Sequence, residues 1–201
     1  LPNCRPQPHL FSKDKVRFMG EAVAAVAAIS EEIAEEALTH IKIDYEPLPA
    51  IFDPVEAMQD DAPKLYPPYK NVIKAAELVK GDVAKGFAQA DVIVEGTYTT
   101  PPWEHAAMEQ EAALAYTDEE GRLVLHTPLH HTFPGRDWVA LMLGLNKERV
   151  RLICPAMGGN FGARGDFVHA GVVSLLAFKT RKPVRLEYTR AESILGYSKS
   201  H

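Results

Sequence analysis

The sequence has few cysteines and no motif built from them. Its two cysteines, Cys4 and Cys154, stand far apart in the 201 residues, and neither belongs to a Cys-x-x-Cys pair. A disulfide framework and a zinc knuckle both need more cysteines than this. A [2Fe–2S] cluster is excluded for the same reason. Cys154 ends an apolar run, which predicts a buried free thiol.

Long apolar runs and concentrated positive charge are also missing. The longest apolar stretches, residues 22–29 and 171–178, are much shorter than a membrane span. The net charge is −5 and the basic residues are scattered, so we expect neither a membrane nor a nucleic acid as partner. The first residues contain no leader for secretion. We therefore expect a protein of the reducing cytoplasm.

Hydrophobic residues make up 46% of the sequence, enough for an ordinary core. In the first fifty residues the pattern predicts a compact strand–helix–strand unit. Residues 22–29, apolar and partly β-branched, are predicted as a buried strand, although their alanines leave a helix as an open alternative. Ser30 is a natural N-cap, followed by acidic residues and helical periodicity. Residues 41–45 alternate like a half-buried strand and end at a proline-rich stop.

A proline-rich stretch at residues 58–80 predicts a linker, and a second unit follows it. The pattern of this second unit predicts a short amphipathic segment at 83–90, a strand at 92–100, a hairpin of 111–116 and 123–126, a helix at 134–143 ended by Gly144, a strand at 150–154, a helix at 166–179 and a strand at 184–188. Together the two units predict a mixed α+β fold.

The most informative stretch for chemistry is the glycine-rich loop at 157–166, between a predicted strand and a predicted helix. Glycines there allow a close backbone approach and can leave N–H groups pointing outward, as in an anion-binding nest. A tight turn that serves packing alone is an equally open interpretation. The spacing matches neither a Rossmann fingerprint nor a P-loop.

Two polar clusters are less specific. His126, His130 and His131 precede a predicted helix, but no cysteine or carboxylate stands at a zinc-ligand spacing from them, so exposed loop histidines are the favoured interpretation. Glu104, His105 and Glu109 lie beside Trp103. Taken alone, such a group is more often a satisfied hydrogen-bond cluster than a catalytic pair.

Several segments together resemble one family, the molybdenum hydroxylases that include xanthine dehydrogenase and aldehyde oxidase. Each is weak alone, but they stand in the family's order and spacing and span the chain from about Lys15 onward. The similar segments are residues 16–24, residues 44–50, residues 81–91, His105 with Met108 and Glu109, and residues 157–164.

The resemblance implies a fold and a division of the chain. Residues 1–58 would be the C-terminal part of an α/β hammerhead domain, 59–80 a linker, and 81–201 the N-terminal part of a molybdenum-cofactor-binding domain. The chain would be a piece of a larger molybdenum-binding subunit and inactive alone. The family's catalytic glutamate and most of its pterin contacts would lie outside these residues, so the resemblance implies no catalytic residue and no metal ligand here.

The resemblance also implies the reaction, which is hydroxylation of a carbon centre with water as the oxygen source. The cofactor would be a molybdopterin-type molybdenum cofactor, with [2Fe–2S] clusters and FAD on partner subunits or domains. The remaining part of the molybdenum subunit would be a further partner. The residues implied to bind the cofactor are His130, Gly158, Gly159, Asn160, Phe161, Gly162, Ala163 and Arg164.

Three departures from the family's pattern bear on this expectation. His130 stands where many members carry a glutamine, and its charge depends on pH. Gly165 stands where purine-oxidising members carry a substrate-binding glutamate, which favours an aldehyde or another N-heterocycle as substrate. Ser200 replaces a common arginine. Two alternatives stay open: a non-catalytic scaffold subunit of such a complex, and a phosphate-ligand-binding α/β domain.

Overall fold

The computed structural model describes residues 9–72, 74–197 and 199. Cys4, Ser200 and His201 lie outside the described residues. The described chain forms two compact units. One contains Tyr45–Pro101, and the other contains residues 9–44 together with those from Pro102 onward. The predicted boundaries at residues 58 and 80 stay predictions.

The helices and strands are few and mostly short. In chain order they are α1 (Glu31–Thr39), α2 (Pro54–Ala57), α3 (Val83–Ala88), β1 (Ala112–Thr117), β2 (Leu123–His126), α4 (Thr132–Leu143), β3 (Val150–Ile153), α5 (Val168–Thr180), β4 (Val184–Glu187) and α6 (Arg190–Gly196), with 3-10 turns at Lys147–Arg149 and Ala163–Gly165. The unit that contains residues 9–44 and those from Pro102 onward holds the four strands of the described chain.

These strands form one sheet in the order β3-β2-β1-β4. β1 is antiparallel to both β2 and β4, whereas β2 and β3 run parallel. Helices α4 and α5 pack on the sheet and on each other. The buried core includes Leu125 of β2, Val139 of α4 and Val173 of α5, none more than 1% exposed. The sheet with its two helices therefore contains the hydrophobic core of this unit.

In this unit the hairpin and the helices α4 and α5 lie where the sequence pattern predicts them, with small shifts at the helix starts. The hairpin closes with the Asp118 amide donating to the Arg122 carbonyl at 2.9 Å, and Gly121 adopts a φ of 74°. Helix α4 starts at Thr132 instead of residue 134. Pro134 falls within its first turn, where a backbone N–H has no helical partner. Helix α5 starts at Val168 instead of residue 166, because Asp166, which follows the 3-10 turn, has an extended backbone with φ −92° and ψ 135°.

Three predicted strands are wrong. Residues 22–29, 41–45 and 92–100 have no regular structure, and in the described chain none of them pairs with another strand. Their apolar side chains are largely exposed, with Ile29 at 94% and Val94 at 85%. Alternation of apolar and polar residues specifies a face, but a strand also needs a neighbour for its N–H and C=O groups.

Helix α1 and its N-cap are confirmed. The Ser30 hydroxyl accepts from the Ile33 amide at 3.4 Å, and Glu31 and Glu32 stand in the first turn. The segment at 83–90 forms helix α3, capped by the Asp82 carboxylate, which accepts from the Lys85 amide. None of the described helices has the length and apolar content that crossing a membrane would require.

Candidate functional site

The glycine-rich loop joins the end of β3 to the start of α5. Gly159 and Gly162 adopt φ values of 115° and 101°, a region that favours glycine. Phe161 lies between them at φ 50°, and its side chain is 72% exposed. A large aromatic residue in a left-handed conformation is strained, so its surroundings must hold it there. The loop thus presents Phe161 outward on a constrained turn.

Part of the loop's hydrogen-bonding capacity is used within the molecule. The Gly158 amide donates to Glu109 Oε2 at 2.8 Å. Asn160 Oδ1 accepts from the Gly162 and Arg164 amides at 3.2 and 3.0 Å, and the Asn160 carbonyl accepts from the Ala163 amide. Within the part of the chain that the structure describes, the amides of Gly159, Asn160 and Phe161 donate no hydrogen bond. The N–H groups that an anion-binding nest would use are therefore those of residues 159–161, the apex of the loop.

Close neighbours explain two of the glycines. A Cβ added to Gly158 would lie 2.6 Å from Glu109 Cβ, and one added to Gly162 would lie 3.2 Å from His105 Nε2. The packing interpretation of the motif is therefore correct for these two positions. It does not account for the unused amides at the apex, where the anion-nest interpretation stays a prediction.

Arg164 lies beneath the loop and is 1% exposed. Its guanidinium donates to Glu111 Oε1 at 2.9 Å, to the Glu109 carbonyl at 2.5 Å and to the Gly159 carbonyl at 3.2 Å. Glu109 Oε2 lies 3.4 Å from the same guanidinium. A buried charge needs such partners, because burial removes its hydration. The side chain therefore faces the interior.

Two histidines flank the loop. The His130 amide donates to the Arg164 carbonyl at 3.2 Å, and its ring stands beside Gly165 and 3.6 Å, between centroids, from the His131 ring. His105 lies against Gly162 at the other end. The structure therefore brings His130 and His105 to the loop, while His126 stacks on Tyr116 of β1.

Among the residues that support the glycine-rich loop, Glu111 is the one that sequence reasoning missed. It is 4% exposed at the start of β1, and its second oxygen, Oε2, has no hydrogen-bond partner among the described residues. A carboxylate in an otherwise apolar strand segment was the available signal. Its partner, Arg164, is 53 positions away, so the pair could not be identified from local sequence.

A second buried polar group lies behind the loop, around His169 of α5. Its Nε2 is 3.2 Å from the Thr127 hydroxyl, and its Nδ1 is 2.9 Å from the Tyr197 hydroxyl. Burial, together with the positive charge of Arg164, lowers the pKa of His169 to about 3. The imidazole is therefore neutral at physiological pH.

A concave pocket of about 430 Å³ lies elsewhere, along the edge strand β3. Arg122 and Arg136, which line it, are paired with carboxylates of their own. Charged side chains along an exposed sheet edge are a common defence against edge-to-edge association. We assign no ligand to this pocket.

Comparison with protein families matches the description "Molybdopterin cofactor-binding domain" over residues 66–201. The chain belongs to this family. Residues 2–49 match a second description, "Aldehyde oxidase and xanthine dehydrogenase, a/b hammerhead domain". The predicted succession of a hammerhead part and a molybdopterin-binding part is confirmed.

Relatives in this family are longer than the chain. It is 33% identical over 196 residues to a probable xanthine dehydrogenase subunit of Bacillus subtilis, covering 98% of this chain and 26% of that protein. It is 37% identical over 188 residues to the nicotinate dehydrogenase large molybdopterin subunit of Eubacterium barkeri, covering 94% and 44%. The chain thus spans less than half the length of either relative.

Solved structures agree with the family assignment. The aldehyde oxidoreductase from Desulfovibrio desulfuricans ATCC 27774 superposes with a TM-score of 0.88 at 27% identity, covering 94% of this chain and 21% of that one. The aldehyde oxidoreductase from Desulfovibrio gigas gives a TM-score of 0.81 at 31% identity, covering 86% and 19%. The fold of this molybdopterin-binding family is therefore shared.

Proposed function

We propose that this chain is part of the molybdopterin-binding subunit of a molybdenum oxidoreductase that hydroxylates an aldehyde or an N-heterocycle. The observation that carries the proposal is the apex of the glycine loop. There, three amides with no internal partner and an exposed aromatic ring stand together on a constrained turn, in a chain of the molybdopterin-binding family.

The residues present fit a cofactor that carries negative oxygen or phosphate groups. Unpaired amides in a glycine-rich turn attract such groups, and the φ values of Gly159 and Gly162 keep the backbone accessible. When bound, the molybdenum cofactor would supply the redox chemistry of hydroxylation with water as the oxygen source. The amides of Gly159, Asn160 and Phe161 would hold and orient it.

The ring of His130 is the second proposed contact. It is exposed beside Gly165 at the C-terminal end of the loop, where an imidazole N–H can donate a hydrogen bond. Gly165 offers no side chain to bind a purine. This supports an aldehyde or another N-heterocycle as the substrate. Four other residues would affect cofactor binding indirectly, because they fix the shape of the loop: Gly158, Gly162, Ala163 and Arg164.

We also propose partners and a cellular location for this protein. Electrons would leave through [2Fe–2S] clusters and FAD on other subunits or domains, and the remaining part of the molybdenum subunit would complete the cofactor site. Cys154 is half-buried and not fully buried as its apolar run predicts. Its thiol is free, which agrees with a reducing cytoplasm.

Metal analysis of the intact native assembly tests the proposal. We expect stoichiometric molybdenum in the wild type. The variant Gly162→Ala should retain several-fold less, because its Cβ would be strained at φ 101° and would press on His105. Gly86→Ala in α3 is the matched control, since a Cβ there meets nothing within 4 Å.

Two outcomes would reject the proposal. A fully assembled complex with no molybdenum would favour a non-catalytic scaffold subunit. Tight nucleotide binding by a protein without molybdenum would favour a phosphate-ligand-binding domain instead.

A further inference from the structure

The conformation of the glycine loop depends on a part of the chain that is distant in sequence. The segment 107–111, which leads into β1, runs beneath the loop. Its Glu109 carboxylate accepts from the Gly158 amide, and the Gly159 backbone packs on Ala107, where an added Cβ would approach to 3.3 Å. The loop therefore rests on this segment.

Two arginines fix the segment itself. Arg190, the first residue of α6, donates to the carbonyls of Ala107 and Met108, both at 2.8 Å. Arg164 takes the next carbonyl, that of Glu109. Three successive carbonyls thus accept from guanidinium groups, which leaves the segment little conformational freedom.

Arg164 is the one of the two that also holds the loop. Its Nε donates to the Gly159 carbonyl, Nη1 donates to Glu111 Oε1, and Nη2 donates to the Glu109 carbonyl. With these bonds one planar group joins the loop to segment 107–111 at two points, Glu109 and Glu111. A lysine carries the same charge but cannot present this fork of donors.

We propose that Arg164 is a positioning residue, which with Glu109 and Glu111 sets the loop apex for ligand binding before any ligand arrives. Only the identity of the ligand, the molybdenum cofactor, rests on the proposed function. Order in the loop is expected without cofactor, because every bond in the network lies within the chain. The buried ion pair with Glu111 ties that order to the sheet.

The sharpest test separates positioning from simple stability. Removing one partner of a buried ion pair leaves an uncompensated charge and destabilises the fold, whereas removing both is often neutral. We therefore compare Arg164→Met with the double variant Arg164→Met/Glu111→Gln. The conservative variant Arg164→Lys tests the fork, and Arg149→Met, which removes an exposed arginine bonded only to the Gly121 carbonyl, is the matched control.

Hydrogen exchange of the loop amides in the intact protein is the main measurement. We expect the hydrogen-bonded amides of the loop, those of Gly158, Gly162, Ala163 and Arg164, to exchange about tenfold faster or more in Arg164→Met, because the loop loses its bonds to a charged group. The double variant should recover much of the melting temperature but keep the fast exchange. Arg164→Lys should exchange nearly as fast as Arg164→Met, and Arg149→Met should match the wild type.

The results that would overturn the inference are distinct from those that reject the proposed function. Wild-type exchange of the loop in the double variant or in Arg164→Lys would mean that Arg164 serves stability alone. Molybdenum content is measured on the same samples. A wild type without molybdenum removes the proposed function, while the exchange data still decide whether Arg164 positions the loop.

Discussion

His169 shows how strongly burial acts on a single residue. It is 2% exposed in α5, between the hydroxyls of Thr127 and Tyr197. Thr127 donates its own proton to the Ala112 carbonyl, so Nε2 of the neutral imidazole donates to Thr127. Nδ1 is then an acceptor for the Tyr197 hydroxyl, which also lies 3.2 Å from the Asp166 carbonyl. A neutral ring satisfies this arrangement. Burial also raises the pKa of Tyr188, whose ring contacts His169, to about 12.

The lowered pKa of His169 predicts a pH dependence of stability. Below the ordinary histidine value of 6.5, the unfolded chain takes up a proton that the folded protein excludes down to about pH 3. The free energy of unfolding should therefore fall as the pH drops below 6.5, by up to about 1.4 kcal/mol per pH unit. Above that pH this contribution is constant.

Urea unfolding between about pH 5 and 7, where most carboxylates stay ionised, measures the effect. The variant His169→Gln should have a flatter profile, because its amide does not titrate. His126→Gln, which removes a histidine at the end of β2, is the control and should keep the wild-type slope. An unchanged slope in His169→Gln would refute the prediction.

At the scale of elements, α6 is short and depends on its N-terminal cap. The Thr189 hydroxyl accepts from the Glu192 amide at 3.2 Å, and Glu192 Oε2 accepts from the Thr189 amide at 2.7 Å. This is a complete capping box. Because α6 also carries Arg190, the cap contributes to the support of segment 107–111.

We predict that Thr189→Ala lowers the free energy of unfolding by about 1 kcal/mol, since it leaves a helix N–H without its acceptor. Chemical denaturation measures this loss. Thr189→Ser keeps the hydroxyl and should lose only a few tenths of that amount. If the serine variant were as destabilised as the alanine variant, the cap would not be the cause.

At the scale of the whole molecule, the two units differ in how much apolar surface they bury. In the unit that contains Tyr45–Pro101, most large apolar side chains are exposed, among them Leu78 at 96% and Tyr98 at 91%. Its described residues contain only the short helices α2 and α3. Such a surface is typical of an interface with further protein.

We predict that a polypeptide of these 201 residues alone is poorly soluble and only partly ordered. Amides in β1 and α5 should be protected from hydrogen exchange, whereas those of residues 92–100 should exchange freely, because no strand pairs with them in the described chain. The same residues should become protected in the native assembly. Full protection in the isolated polypeptide would contradict this.

Local patterns in the sequence predicted what depends on near neighbours. The hairpin at 118–121, the cap at Ser30 and the C-terminal Gly144 of α4 each involve residues a few positions apart, and all three are confirmed. The strands at 92–100 and 41–45 were wrong for the opposite reason. Their apolar alternation is real, but a ladder needs a partner strand, which sequence periodicity does not supply.

The sequence by itself determined the family, through ordered motifs, and the position of the glycine loop between a strand and a helix. Only the tertiary structure decided which loop amides stay free and what supports them. Glu109 and Arg164 are 55 positions apart, and Ala107 and Arg190 are 83 apart. No local pattern specifies contacts between residues so far apart in sequence, because these contacts depend on how the whole chain packs.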